Sequence, residues 1–165
     1  MRNPPVRIAA FLSVLAAAAA LGSAFAAEWW GGLVPCALCL VERWPYRIAI
    51  ALGVVALILP TRAARFVLGL LALTILGGAA IAGVHVGVEF HWWPSPLPEC
   101  AAPHLTGGTI AEQLASMPVR PAKPCDDPSF LIPGIPLSIA AMNMLYSLVF
   151  AASLAMAMGR RRRRR

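Results

Sequence analysis

Apolar residues run along this chain in blocks rather than at amphipathic spacing. From Ile8 to Ala27 about 20 residues pass without a charge. Further apolar runs lie at about 37–59, 66–88 and 135–158. Roughly 20 apolar residues in helical form match the thickness of the hydrocarbon core. The pattern therefore predicts an all-α membrane protein, a four-transmembrane-helix bundle forming a single membrane domain over 1–165. Ala24-Phe25-Ala26 fits a cleavage site after a signal peptide. The length of the first run and the spans that follow favour a retained helix.

The connections are unequal. Loop 28–36 and the turn Thr61–Arg65 are short, whereas 89–134 is long. Pro94, Pro96 and Pro98 at its start, and Pro118, Pro121 and Pro124 further on, impose irregular backbone. Between them Thr109–Met117 predicts one short amphipathic helix, with Ile110, Leu114 and Met117 on one side, laid on the membrane surface. A loop of this length without a domain of its own is usually functional.

Composition agrees: 59% of the 165 residues are hydrophobic and 13% charged, against about a quarter charged in ordinary globular domains. The net charge of +7 does not point to nucleic acid, because six of the fourteen basic residues form the terminal run Arg160–Arg165. Directly after an apolar helix, that run (tail 159–165) fits a cytoplasmic anchor against anionic lipid. Arg2, Arg7, Arg62 and Arg65 fall on the same side as the tail. Arg120 and Lys123 lie opposite, with Glu28, Glu99, Glu112, Asp126 and Asp127. The positive-inside rule then predicts cytoplasmic termini and places all four cysteines outside.

The chemistry gathers in Pro35-Cys36-Ala37-Leu38-Cys39-Leu40-Val41-Glu42-Arg43. If this stretch opens a helix, Cys36, Cys39, Arg43 and Arg47 share one face, with Arg43 roughly 6 Å along the axis from Cys39. A cation that close favours a thiolate. A zinc knuckle would need a second ligand pair, but Cys100 and Cys125 are too far apart, and His85, His91 and His104 show no ligand repeat. No metal site is expected. Haem attachment requires His after the second cysteine, where Leu40 stands. A redox dithiol remains. Cys100 and Cys125 read either as a structural staple or as a pair that exchanges with the dithiol. Without a flavin, haem or cluster motif, a lipid-soluble quinone is the acceptor a membrane helix mouth offers. Arg43 suits a quinone carbonyl, or else snorkels or pairs with Glu42 or Glu89. Glu42 reads as a partner for Arg47 or as a proton carrier, and His85 as a helix-end histidine.

Cys36-x-x-Cys39-x-x-Glu42-Arg43, His85 upstream of Trp93-Pro94-Ser95-Pro96, Cys100, Cys125-Asp126, Ser138 and Asn143 together resemble the disulfide bond formation protein B (DsbB) family. The resemblance runs from about Trp29 to Leu148. It implies a bacterial inner-membrane thiol:quinone oxidoreductase that reoxidises a periplasmic DsbA-type dithiol oxidase, with ubiquinone as acceptor and menaquinone as the alternative. By resemblance, Cys100 forms the mixed disulfide with the partner and Cys125 pairs transiently with Cys36. Cys39 faces the quinone with Arg43 near the ring, and Glu42 and His85 complete the quinone site. The redox-active disulfides would be Cys36–Cys39 and Cys100–Cys125. His91 competes with His85 for the histidine position, and the arginine tail is outside the family pattern. Vitamin K epoxide reductases, the nearest competing family, carry their CxxC in a later helix.

Overall fold

The computed structural model describes residues 4–100, 108–115, 123–131, 134 and 136–159. Expectations resting on Arg2, His104, Met117, Arg120, Ile135 or Arg160–Arg165, or on the side chain of Leu114, lie outside the described residues. The helices are α1 (Pro4–Trp29), α2 (Ala37–Val41), α3 (Trp44–Ile58), α4 (Thr61–Glu89), α5 (Ile110–Ala115) and α6 (Ile139–Gly159). A 3-10 turn occupies Pro98–Cys100. The described residues form no strand beyond an isolated bridge between Phe130 and Ser138.

Among the described residues three helices, α1, α4 and α6, are long and apolar enough to cross a membrane. Each begins or ends within a few residues of its apolar run: the first and third runs hold no proline or formal charge that would stop the ladder, and in the last one Pro136 precedes the start of α6 at Ile139. The run at 37–59 behaves differently. It splits into α2 and the 15-residue α3, joined by a turn at Glu42 and Arg43. Pro45 is the cause. It offers no N–H, and its ring would collide with the carbonyl of Val41, so the helix stops and restarts with Pro45 in the first turn of α3. The one-face reading of Cys36, Cys39, Arg43 and Arg47 fails for this reason.

Four helices pack together. α4 lies against both α3 and α6, and α3 against α1, while α1 meets α6 and α4 only thinly. Small residues set the approach: Ala10, Ala17, Ala49, Ala56, Ala79 and Ala82 are buried, as expected where helices associate by close van der Waals contact. A Cβ on Gly78 would stand 3.0 Å from Pro45 Cβ, so the helix restart and the small face of α4 fit one another. Of the other small residues in that stretch, Gly83 faces Met144, whereas Gly77 opens outward. Leu68, Leu71 and Ile75 fill the centre with Leu21, Phe150 and Leu154. Outward faces are apolar too, as at Phe11, Ile58, Phe66 and Val149. A bundle apolar inside and out belongs in hydrocarbon.

Candidate active site

The dithiol is built by a helix start. Cys36 is the N-cap of α2, extended at φ −78 and ψ 171, and its sulfur accepts the backbone N–H of Cys39 at 3.2 Å. This satisfies one of the donors that a helix leaves free at its N-terminus. The same bend brings the sulfurs of Cys36 and Cys39 to 2.7 Å, both as free cysteines. The Cys36 thiol titrates below the ordinary cysteine range, chiefly because Cys39 donates to it, with burial opposing.

The second pair arrives from the long loop. Cys100, closing the 3-10 turn, is disulfide-bonded to Cys125, and Cys125 N–H donates to the Cys100 carbonyl at 3.3 Å. Cys36, Cys100 and Cys125 are buried in one cluster with Leu38 and Val88, and Cys39 packs at its edge. Gly87 anchors the strap that leads there. A Cβ on it would stand 2.0 Å from the Trp93 ring, and Trp93 Nε1 donates to the Val84 carbonyl at 3.1 Å.

A chain of polar side chains backs the dithiol. His85 on α4 sets Nε2 3.5 Å from Cys36 Sγ and Nδ1 2.6 Å from Glu42 Oε1. Glu42 Oε2 accepts from Asn143 Nδ2 at 2.5 Å, and Asn143 Oδ1 accepts from Tyr46 at 2.5 Å. Tyr46 also bonds Ser147 at 2.8 Å. Ser138, capping α6, donates to Glu89 Oε2 at 2.5 Å. The candidate partners read from sequence are therefore redistributed. Glu42 pairs with His85 rather than Arg47, whose guanidinium lies over Trp44 at 5.2 Å. Arg43 pairs with Glu28 at 2.8 Å and stacks over Phe25 at 5.0 Å, rather than meeting Glu42 or Glu89. His91 is exposed, at φ 57, with Asp126 Oδ2 3.8 Å from its Nε2.

Where α1 and α6 meet thinly, a cavity of about 440 Å³ opens on the other side of the dithiol. Cys39, Glu42 and Arg43 line it, with Tyr46, Asn143 and otherwise largely apolar side chains from α1 and α6. Cys36 and His85 are not in its lining. Cys36 thus faces the loop disulfide, whereas Cys39 stands at the edge of that cluster and borders the cavity as well. Cys36, Cys39 and His85 also bring their ligand atoms within 4.8 Å of one another, which suits a metal ion and was not legible from histidine spacing. Sequence reasoning missed Glu28 as the partner of Arg43, and Tyr46. A lone carboxylate at the mouth of an apolar run was the available signal for Glu28.

A family model described as disulfide bond formation protein DsbB matches residues 6–157. Disulfide bond formation protein B 2 of Pseudomonas syringae is 42% identical over 85 residues, covering 48% of this chain and 46% of that protein. Disulfide bond formation protein B of Methylococcus capsulatus is 34% identical over 102 residues, covering 61% of this chain and 62% of that protein. The matched stretches thus span about half to three-fifths of these relatives' lengths. No solved structure matches the chain.

Proposed function

Since the chain belongs to the disulfide bond formation protein DsbB family, whose name ties it to making disulfides, we propose that it is an inner-membrane thiol:quinone oxidoreductase. It takes two electrons from a periplasmic DsbA-type dithiol oxidase and passes them to ubiquinone, or to menaquinone where that is the membrane's quinone. One observation carries the reading: Cys36 is buried with Cys100 and Cys125, while its neighbour Cys39 lines a largely apolar cavity beside Arg43.

The wiring follows from that arrangement. A partner thiolate attacks Cys100, the Cys100–Cys125 bond breaks, and Cys125 leaves as thiolate. Cys125 then attacks Cys36 of the Cys36–Cys39 disulfide, which frees Cys39 at the cavity. The partner's second thiol then attacks the mixed disulfide, so that the oxidised partner leaves and Cys100 is freed. Cys100 attacks Cys125, which restores Cys100–Cys125 and releases Cys36 as a thiol. Cys36 and Cys39 close again as two electrons and two protons pass to the quinone. The cavity fits a quinone head: about 440 Å³, mostly apolar, with a guanidinium and a sulfur in its wall. A quinone bound there supplies a two-electron, two-proton acceptor. Arg43, held by Glu28, donates to a carbonyl oxygen; Glu42 and His85 form the path along which a thiol proton moves between Cys36 and the cavity wall.

The same reading extends to placement. α3 is about 22 Å long by helix rise, and α2 lengthens it into the fourth span of a single membrane domain. Both termini are then cytoplasmic and both cysteine pairs periplasmic, a reading the arginine distribution supports. The test is turnover: purified protein, reduced DsbA-type partner and ubiquinone-1, with quinone absorbance followed for wild type and Cys39→Ser. Quinone loss that disappears in the variant supports the reading. Turnover that survives in Cys39→Ser, or its absence in a folded wild type, overturns it.

A further inference from the structure

Next to the cavity, the dithiol has a second chemistry built into it. His85 Nδ1 is turned to Glu42 Oε1 at 2.6 Å, and Glu42's other oxygen is held by Asn143 at 2.5 Å. In the neutral imidazole, a carboxylate at that nitrogen assigns it the proton and leaves the Nε2 lone pair facing Cys36 Sγ at 3.5 Å. This is how protein metal sites orient a ligating imidazole, with a carboxylate behind it that is itself hydrogen-bonded. The ligand atoms of Cys36, Cys39 and His85 all fall within 4.8 Å. Beside them lies a void of about 10 Å³, walled by the same three residues together with Glu89, Lys123 and Asp127. That is close to the room one water needs. Two sulfurs, one imidazole and a water position make up a four-coordinate set for a thiophilic divalent cation.

We propose that the reduced chain binds one zinc-class ion through Cys36, Cys39 and His85, with water as fourth ligand. Binding displaces both thiol protons to solvent and moves no electrons. With zinc–sulfur bonds of about 2.3 Å, tetrahedral geometry needs the sulfurs roughly 3.8 Å apart. They therefore part from their present 2.7 Å by side-chain rotation. A Cys36–Cys39 disulfide has no thiolates to offer, so the site exists only in the reduced state. The geometry alone carries the binding. Its consequence, that an occupied site halts electron flow until the metal leaves, rests on the function proposed above.

Cobalt(II) reports directly on such a site. The probe is added to detergent-solubilised full-length Cys100→Ser/Cys125→Ser protein, so that Cys36 and Cys39 are the thiols present. We expect one equivalent bound to the reduced form, with thiolate-to-cobalt charge-transfer absorption and tetrahedral visible bands. Zinc should displace the cobalt. The oxidised form should show neither signal, Cys36→Ser should lose the charge-transfer band, and Glu42→Gln should weaken binding roughly 10–100-fold. No thiolate band in the reduced protein, or equal binding to the oxidised form, overturns the site. Quinone turnover of metal-free wild type is read alongside. If that is absent while the cobalt spectrum is present, the proposed function fails and the metal site stands. If turnover is present and zinc leaves it unchanged, the inhibitory consequence fails.

Discussion

Arg43 and Glu28 illustrate what a single pair does here. The guanidinium is buried on the cavity wall and its charge is matched 2.8 Å away by the carboxylate at the end of α1. A charge-assisted hydrogen bond to a substrate oxygen is worth about 1.5–3 kcal/mol. Arg43→Ala should therefore raise the KM for quinone roughly 10- to 100-fold in steady-state assays; an unchanged KM removes Arg43 from the proposed site. Asn143 is a different case, since it touches Glu42 and Tyr46 at once. Asn143→Leu leaves a buried carboxylate oxygen without its donor and should cost about 1–3 kcal/mol, read as a lower midpoint of thermal unfolding in detergent. At this scale the sequence is legible only where partners are neighbours. The spacing of Cys36 and Cys39 announces the dithiol. The pairing of His85 with Glu42, 43 residues apart, depends on where α4 crosses the α2–α3 turn, and no periodicity encodes that.

Elements carry the next set of consequences. α1, α4 and α6 were readable as apolar runs because the bilayer asks only for length and hydrophobicity. The division of the second run into α2 and α3 was not expected, although its signal, Pro45, was in view; a proline near a helix start and one that forces a restart look alike until the preceding residues are known to be helical. The split is functional geometry, since it frees Cys36 to cap a helix while Arg43 turns to Glu28. The strap after α4 is held by the Gly87–Trp93 contact. Gly87→Ala forces the indole off the helix and should cost about 1–3 kcal/mol by overpacking, with slower oxidation of the partner dithiol in stopped-flow measurements. α5, read from the sequence as Thr109–Met117 and observed as Ile110–Ala115, is opened by a capping box. Glu112 accepts the N–H groups of Thr109 and Gly108, and Thr109 Oγ1 accepts from Glu112 N. The N–H and hydroxyl of Thr109 hold the Glu112 carboxyl below the usual carboxylate range. A depressed folded-state pKa means the cap stabilises α5 fully above the ordinary carboxylate range and is lost as pH falls through the depressed value. Amide exchange in α5 should accelerate on acidification in wild type and lose that dependence in Glu112→Gln.

For the whole molecule the decisive feature is an asymmetry of packing. α4 is clasped by α3 and α6, while α1 and α6 meet thinly, and the cavity occupies that seam. The seam lies against α2, so that one short helix presents Cys36 to a disulfide and Cys39 to an apolar chamber. The four-run hydropathy pattern and the charge distribution announced a bundle with its cysteines at one end. They did not announce the seam, which arises from the relative closeness of helix pairs and so from side-chain volumes summed across the bundle. In the proposed route Cys36 is the sulfur that joins the two pairs. It is tested most directly in a Cys39→Ser/Cys100→Ser double variant, which leaves Cys36 and Cys125 as its cysteines. After mild oxidation and proteolysis, mass spectrometry should find a Cys36–Cys125 disulfide formed within one chain. Two free thiols, or cross-links between chains alone, would contradict the route from the loop disulfide to the cavity.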